Sequence, residues 1–256
     1  MEKAYIIEEK GRYSLWKAWR MNLKAEQARN FSIITIPVLK KKRDYTRACY
    51  KIKKKGIKKV CYYYFKDEIL EYYIKQEFKI YQGESILSEI FPEVLSFIAK
   101  KKNIGLSDCH LVFIGNRPDI TEKYINKICR IVRRISLLTT KPYLFNNIIK
   151  KYQEDYGIFI DIKGKDDKVK KFRYIYVNLD HKKVFREDLF RNSNLLDIYK
   201  IYKGSFQQIV LDFMTESEAM VDKYQIIKNI SFAEFIRENN QNIRENDYKI
   251  VNIEKI

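Results

Sequence analysis

The strongest pattern of apolar and polar positions runs from Cys109 to Lys163. An apolar run, Cys109-His110-Leu111-Val112-Phe113-Ile114, ends in Gly115-Asn116-Arg117-Pro118, and helical spacing follows from Asp119 to Val132. A second apolar run covers Ile135 to Thr140, and a helix is expected from Pro142 to Tyr156, stopped by Gly157. Ile158-Phe159-Ile160-Asp161-Ile162 then reads as a third strand. Strand, helix, strand, helix, strand within one short segment predicts a βαβαβ unit with a parallel sheet, whose strands, buried on both faces, are apolar throughout rather than alternating.

The first half alternates in the same way. Trp16, Trp19 and Leu23 fall at helical spacing and predict a helix from Ser14 to Ala28. Phe31 to Leu39 has strand composition, with Pro37 marking its end or an edge. A helix from Asp44, read as its N-cap, to Lys55 stops at Gly56, and Ile57 to Tyr64 reads as a strand. Asp67 caps a predicted helix over Glu68–Phe78, and Lys79–Tyr81 is a short strand. Ile86, Leu87, Ile90, Val94, Leu95 and Ile98 give a long amphipathic helix over Glu84–Lys102, which Pro92 should kink or split near Ile90. Beyond the central unit, Phe172–Asp180, Gln208–Phe213 and Tyr248–Ile253 read as strands and Ser231–Arg237 as a helix. The expected organisation is an α/β protein with a mostly parallel sheet. A smaller N-terminal α/β lobe, residues 1–103, ends in a long linking helix, and a second domain covers residues 104–256.

Composition narrows the class. The chain has 256 residues, 46% of them hydrophobic, which suits a folded protein with a substantial core. Its longest apolar runs fall far short of the roughly 20 residues a membrane span needs, and Met1-Glu2-Lys3-Ala4-Tyr5 does not open a secretory leader. Cys49, Cys61, Cys109 and Cys129 lie far apart with no CxxC pair, and only His110 and His181 could join them, so no metal is expected and a cytoplasmic location is. The net charge is +18, in a chain rich in the Lys, Ile, Asn and Tyr that AT-rich coding favours. Its distribution says more than its total. Between Lys40 and Lys59 eleven basic residues face the single acid Asp44, whereas after Gly204 nine acids outnumber six bases. The basic segment precedes Tyr62, Tyr63, Tyr64 and Phe65, a combination that suits phosphate backbones and stacked bases. On that reading Lys41, Arg47, Lys51, Lys54 and Lys58 form the nucleic-acid face.

The order of elements from residue 109 to about 180 resembles the Rossmann superfamily of dinucleotide-binding domains. That resemblance places a ligand at the strand–turn–helix Ile114-Gly115-Asn116-Arg117-Pro118-Asp119, where members carry G-x-G-x-x-G. Here only the first glycine, Gly115, is present, with Arg117 and Ile120 in the other two positions. The end of the second strand, where members hold an acid for the ribose hydroxyls, is Thr139-Thr140-Lys141, a polar and basic end that suits a ribose phosphate as in NADP binders. The resemblance therefore assigns Gly115, Asn116, Arg117, Thr139, Thr140 and Lys141 to a cofactor site, with NADP or another nucleotide as the ligand. Strand-end acids Asp161, Asp180 and Asp212 and the pair Asp180-His181 add candidate acid–base groups, but no nucleophile motif accompanies them, so no catalytic residue is assigned. The leading expectation is a non-catalytic Rossmann-like protein of interaction or regulation, with a protein partner or second copy. An NADP-type oxidoreductase and a nucleic-acid-binding protein are the alternatives.

Overall fold

The computed structural model describes residues 3–8, 23–27, 31–37, 39, 41–63, 65, 67–163, 174–190, 194–202, 205–213, 221–223, 225–239 and 248–255. In chain order the elements are β1 (Lys3–Glu8), β2 (Lys24–Gln27), β3 (Ser32–Ile36), α1 (Lys42–Lys54), β4 (Lys59–Cys61), α2 (Glu68–Glu77), β5 (Lys79–Ile80), α3 (Glu84–Glu89) and α4 (Phe91–Lys101). They continue with β6 (His110–Ile114), α5 (Pro118–Ile128), β7 (Arg134–Leu138), α6 (Asn146–Tyr156), β8 (Ile160–Lys163), β9 (Tyr174–Asn178), β10 (Asn194–Leu196), β11 (Phe206–Asp212), α7 (Ile230–Asn239) and β12 (Lys249–Lys255). The chain divides into two units, Met1–Gly83 with Phe213–Tyr248, and Glu84–Asp212 with Lys249–Ile256. The sequence places the boundary after residue 103. The difference arises because α4 packs on α5 and β12 and so belongs to the second unit.

The first unit is a five-stranded sheet in the order β2-β3-β1-β4-β5, parallel except for β2. Alternate residues of β1 face opposite layers, as the two-residue period of a strand requires. Ala4 and Ile6 join Ala48, Ile52, Leu70 and Ile74 of α1 and α2 in one core. Tyr5 points the other way, with its ring edge-on to Phe232 of α7 at 5.4 Å, while Phe31 meets Phe235 at 4.9 Å. The end of α7 is tied to β1, to β4 and to the residue after β5, because Glu238 accepts from Tyr81 and pairs with Lys3 at 3.2 Å and Lys59 at 2.9 Å. Gly83, at φ +82°, lies so close to Ile230 that a Cβ would meet it at 2.6 Å, and its N–H donates to Glu234.

Two expectations for this unit change and one holds. Asp44 does not cap α1. Lys41 holds that position without a side-chain bond, and Asp44 sits in the first turn, where its charge suits the helix dipole. Asp67 does cap α2, accepting from Ile69 and Leu70 N–H groups at 2.9 and 3.3 Å. The helix expected over Ser14–Ala28 lies mostly outside the described residues, but Lys24–Gln27 at its end is strand β2, held by antiparallel pairing with β3.

The second unit is a seven-stranded sheet in the order β12-β11-β10-β9-β6-β7-β8, parallel except for β12. Counted from β6, strands one to six lie in the order 3-2-1-4-5-6, the doubly wound order of Rossmann-type sheets. Leu111 and Phe113 carry one face, where Phe113 meets Phe91 of α4 and Tyr124 of α5. Val112, Ile114, Leu138 and Tyr176 carry the other, covered by Phe185, Phe190 and Tyr202 from the connections after β9 and β10. Pro92 ends α3 and opens α4 near its N-terminus, so the long helix is split at Ile90. Gly157 closes α6 in the left-handed region at φ +64°.

Toward the amino end of β6, His110 is half-buried against the Tyr174 ring at 4.4 Å and shares a 2.6 Å hydrogen bond with buried Ser136. Burial, helped by the Lys163 and Arg134 charges, pushes its pKa down to about 4. Folding therefore favours neutral His110, and its contribution is complete above the unfolded value near 6.5 and falls as the pH drops toward 4. His110→Gln should flatten the loss of stability between pH 7 and 5 by roughly 1–2 kcal/mol, read from urea unfolding across that range. An equally steep loss in the variant would place the titrating group elsewhere.

Candidate functional site at the strand-order switch

β6 and β9 are neighbours whose connections leave in opposite directions, and the crevice past their carboxyl ends is where doubly wound sheets hold ligands. Gly115 follows β6 with φ +142°, a conformation that glycine tolerates and L side chains rarely adopt. A Cβ there would stand 3.3 Å from the Asp180 Cβ, so the turn and the end of β9 are in close approach. Pro118 occupies the first turn of α5, where its fixed φ suits the helix and its missing N–H costs little.

Asn116 links the two strand ends. Its Oδ1 accepts from Thr139 Oγ1 at 2.7 Å, from Thr140 N at 3.1 Å and from Thr140 Oγ1 at 3.1 Å. Thr139 Oγ1 in turn accepts from Lys141 N at 3.1 Å, while the Lys141 side chain is exposed. Gly115, Asn116, Thr139, Thr140 and Lys141 are thus brought to one place. The side chain of Arg117 is not with them. It forks onto Glu84 at the start of α3, with Nη1–Oε2 at 3.1 Å and Nη2–Oε1 at 3.3 Å. Nη1 also lies 2.9 Å from His181 Nε2 and 3.3 Å from the Tyr199 hydroxyl, which itself donates to Glu84.

The end of β9 is set by buried Asn178. Its Nδ2 donates to Asp197 at 2.9 Å and to the Asp180 carbonyl at 3.0 Å, and its Oδ1 accepts from Asp180 N at 3.2 Å. Asp197, fully buried, also accepts from Ile201 and Tyr202 N–H groups at 2.7 Å each, which fixes the turn carrying Tyr199. These bonds point the Asp180 carboxylate at the Gly115 turn, where it accepts from Asn116 N at 3.3 Å.

The cluster's charges are coupled. Burial raises the Glu84 carboxyl, but hydrogen bonds from Tyr199 and Arg117 outweigh it and leave Glu84 below the usual carboxylate range. Burial, then the hydrogen bond to Glu84 and its charge, drive the Tyr199 phenol far above its ordinary value. His181 is lowered by burial and by the Arg117 charge, against the pull of Glu84 and Asp180. An arginine only donates, so His181 Nε2 is the acceptor, and the ring is neutral with its proton on Nδ1. Glu84 and Tyr199 were not among the candidates read from the sequence, because positions 84, 117, 181 and 199 share no local pattern. Of this group only Arg117 and the Asp180-His181 pair stood out there. Among the described residues, no group of three or more His, Cys, Asp or Glu side chains is arranged to hold a metal ion, and no helix is long and apolar enough to cross a membrane.

No protein-family model matches the chain, and neither does any curated protein. Among solved structures, shikimate dehydrogenase 1 from Peptoclostridium difficile is 14% identical, with 98% of this chain and 94% of that one aligned at a TM-score of 0.33. A shikimate dehydrogenase in complex with NADP+ is 8% identical over 76% of this chain and 75% of that one, at a TM-score of 0.32. The Ael1 enzyme from Pseudomonas putida is 9% identical over 94% of each chain, at a TM-score of 0.33. At such TM-scores these likenesses do not bear on the chemistry, and the fold class rests on the strand order itself.

The two histidines make the cluster easy to observe. Replacing Arg117 by Gln removes the nearest positive charge, so the pKa of His181 should rise while that of His110 stays low. A proton NMR titration of the two imidazoles, assigned with the His110→Gln variant, reads both. An unmoved His181 would show that burial alone holds it down.

Proposed function

We propose that the second unit binds an NADP-type dinucleotide across the ends of β6, β7 and β9 and that the protein is an NADP-type oxidoreductase. The observation that supports this best is the convergence, at the switch of a 3-2-1-4-5-6 sheet, of a positive-φ glycine turn close against Asp180 with a polar and basic strand end bound to it through Asn116. Gly115 would let the backbone approach the pyrophosphate, and Thr140 and Lys141 would hold the ribose phosphate. Asp180, at the end of the first strand of the second mononucleotide half, would accept from ribose hydroxyls. Bound nicotinamide supplies hydride transfer, and this chain's own contribution is a set of proton-bearing groups beside the crevice, His181, Tyr199 and Glu84.

One observation favours a second reading, a non-catalytic protein of interaction or regulation. Arg117 is neutralised by Glu84, and the Asp180 carboxylate already accepts the Asn116 N–H that a phosphate would use. Under that reading the crevice is inherited architecture or senses a ligand without turning it over.

Binding of NADPH and NADH, followed by nicotinamide fluorescence, separates these. NADPH should bind at least tenfold more tightly than NADH, and at 100 times its dissociation constant should stabilise the fold by about 2.7 kcal/mol. Thr140→Val with Lys141→Glu should weaken NADPH at least tenfold and leave NADH unchanged. Failure of both cofactors to bind would overturn the proposal, and NADPH binding without oxidation against any carbonyl substrate tried would favour the second reading.

A further inference from the structure

We propose that the outward face of α1 in the first unit binds single-stranded nucleic acid. Arg43, Arg47, Tyr50 and Lys54 recur at intervals of four, three and four, so they form one stripe along the helix. The stripe lies opposite Tyr45, Ala48, Cys49 and Ile52, which are in the core, and all four of its residues are exposed, Tyr50 at 65%. From Arg43 to Lys54 it extends about 17 Å, the length of about five stacked nucleotides.

The fold treats the basic residues of this segment unequally. Lys53, on the flank of α1, pairs with Glu77 of α2, and Lys59 pairs with Glu238. Arg43, Arg47 and Lys54 make no ion pair among the described residues. Lys53 and Lys59 are thus neutralised within the unit, while Arg43, Arg47 and Lys54 keep their charge in solvent. Exposed Lys41 extends the charge past the first end of the helix, and Lys58 is exposed beyond the other. Lys51, on the stripe's shoulder, is half-buried.

A phosphate backbone meets such a stripe through its charge, but charge alone does not account for Tyr50. A large ring left in water among arginines is the arrangement that stacks unpaired bases, since every base offers a π-face and the flanking cations hold its phosphates. Duplex DNA keeps its bases stacked inside, where Tyr50 has nothing to reach.

Fluorescence anisotropy of labelled single-stranded 12-mers of thymidine and of uridine tests the assignment on the full chain. Binding should weaken with salt at a logarithmic slope of about −2 to −3, as expected when three or four phosphates are neutralised on a single strand. Arg47→Glu with Lys54→Glu should weaken it at least tenfold and flatten the slope. Tyr50→Ala should weaken the oligonucleotides several-fold but leave an abasic strand of equal length unchanged. Arg130→Glu with Arg133→Glu, exposed in the second unit, should change little. Unaltered circular dichroism and unfolding midpoints show that each variant is folded. The proposal is overturned if no strand binds at low salt, if duplex binds as well as single strand, or if the Arg130 and Arg133 changes cost as much as those on α1. It is equally overturned if the α1 changes abolish only self-association of the protein, which would assign the stripe to a second copy.

Discussion

In a sheet built by right-handed crossovers, the chain can add strands outward only in one direction until it returns to its starting strand. Here β6 is that starting strand. β7 and β8 are laid on one side, and β9, β10 and β11 on the other. The reversal puts the ends of β6 and β9 at the point where doubly wound sheets open a gap. Each feature of the candidate site follows from this gap. Gly115 must turn sharply because the chain leaves β6 beside the end of β9, and Asp180 and His181 face it because β9 is its parallel neighbour in register, Ile114 opposite Asn178.

The two sides of the gap differ in their electrostatics. Toward β7, Asn116 arranges hydroxyls and leaves a lysine side chain in solvent. Toward β9 and β10, Arg117 is paired with Glu84, and the network is closed through Tyr199 and His181. A forked arginine–carboxylate pair of this kind is held by geometry as well as charge. Loss of either partner leaves the other half-buried and uncompensated. The polar-basic side therefore suits an anion, and the closed network suits the movement of protons.

The central βαβαβ unit is legible in the sequence because parallel strands buried on both faces must be apolar throughout, and Gly157 and Pro118 mark helix ends by mechanisms that act within a few residues. β10 escaped notice because Asn194-Leu195-Leu196 is short and opens on an asparagine whose side chain bonds to Tyr174 O across the strands. β2 escaped because Lys-Ala-Glu-Gln has no strand propensity of its own and is held by its partner. The turn at Gly115 and the polar end at Thr139-Thr140-Lys141 could be named, but the destination of the Arg117 side chain could not. That depends on Glu84, Tyr199 and His181, which only the folded chain brings together. Contacts divide the chain at Gly83 and Phe213, a division that contiguous sequence does not suggest because each unit is made from two separated segments.

That interrupted construction sets an order of events during synthesis. β1 and β3 to β5 emerge early, with Tyr5 and Phe31 on a face that packs against Phe232 and Phe235 of α7. At ordinary translation rates, roughly ten to thirty seconds pass between residues 83 and 230. For that time an aromatic sheet face is without its α7 partners while the whole βαβαβ unit is made, and a nascent chain in this condition is a natural client for a chaperone that shields apolar surface.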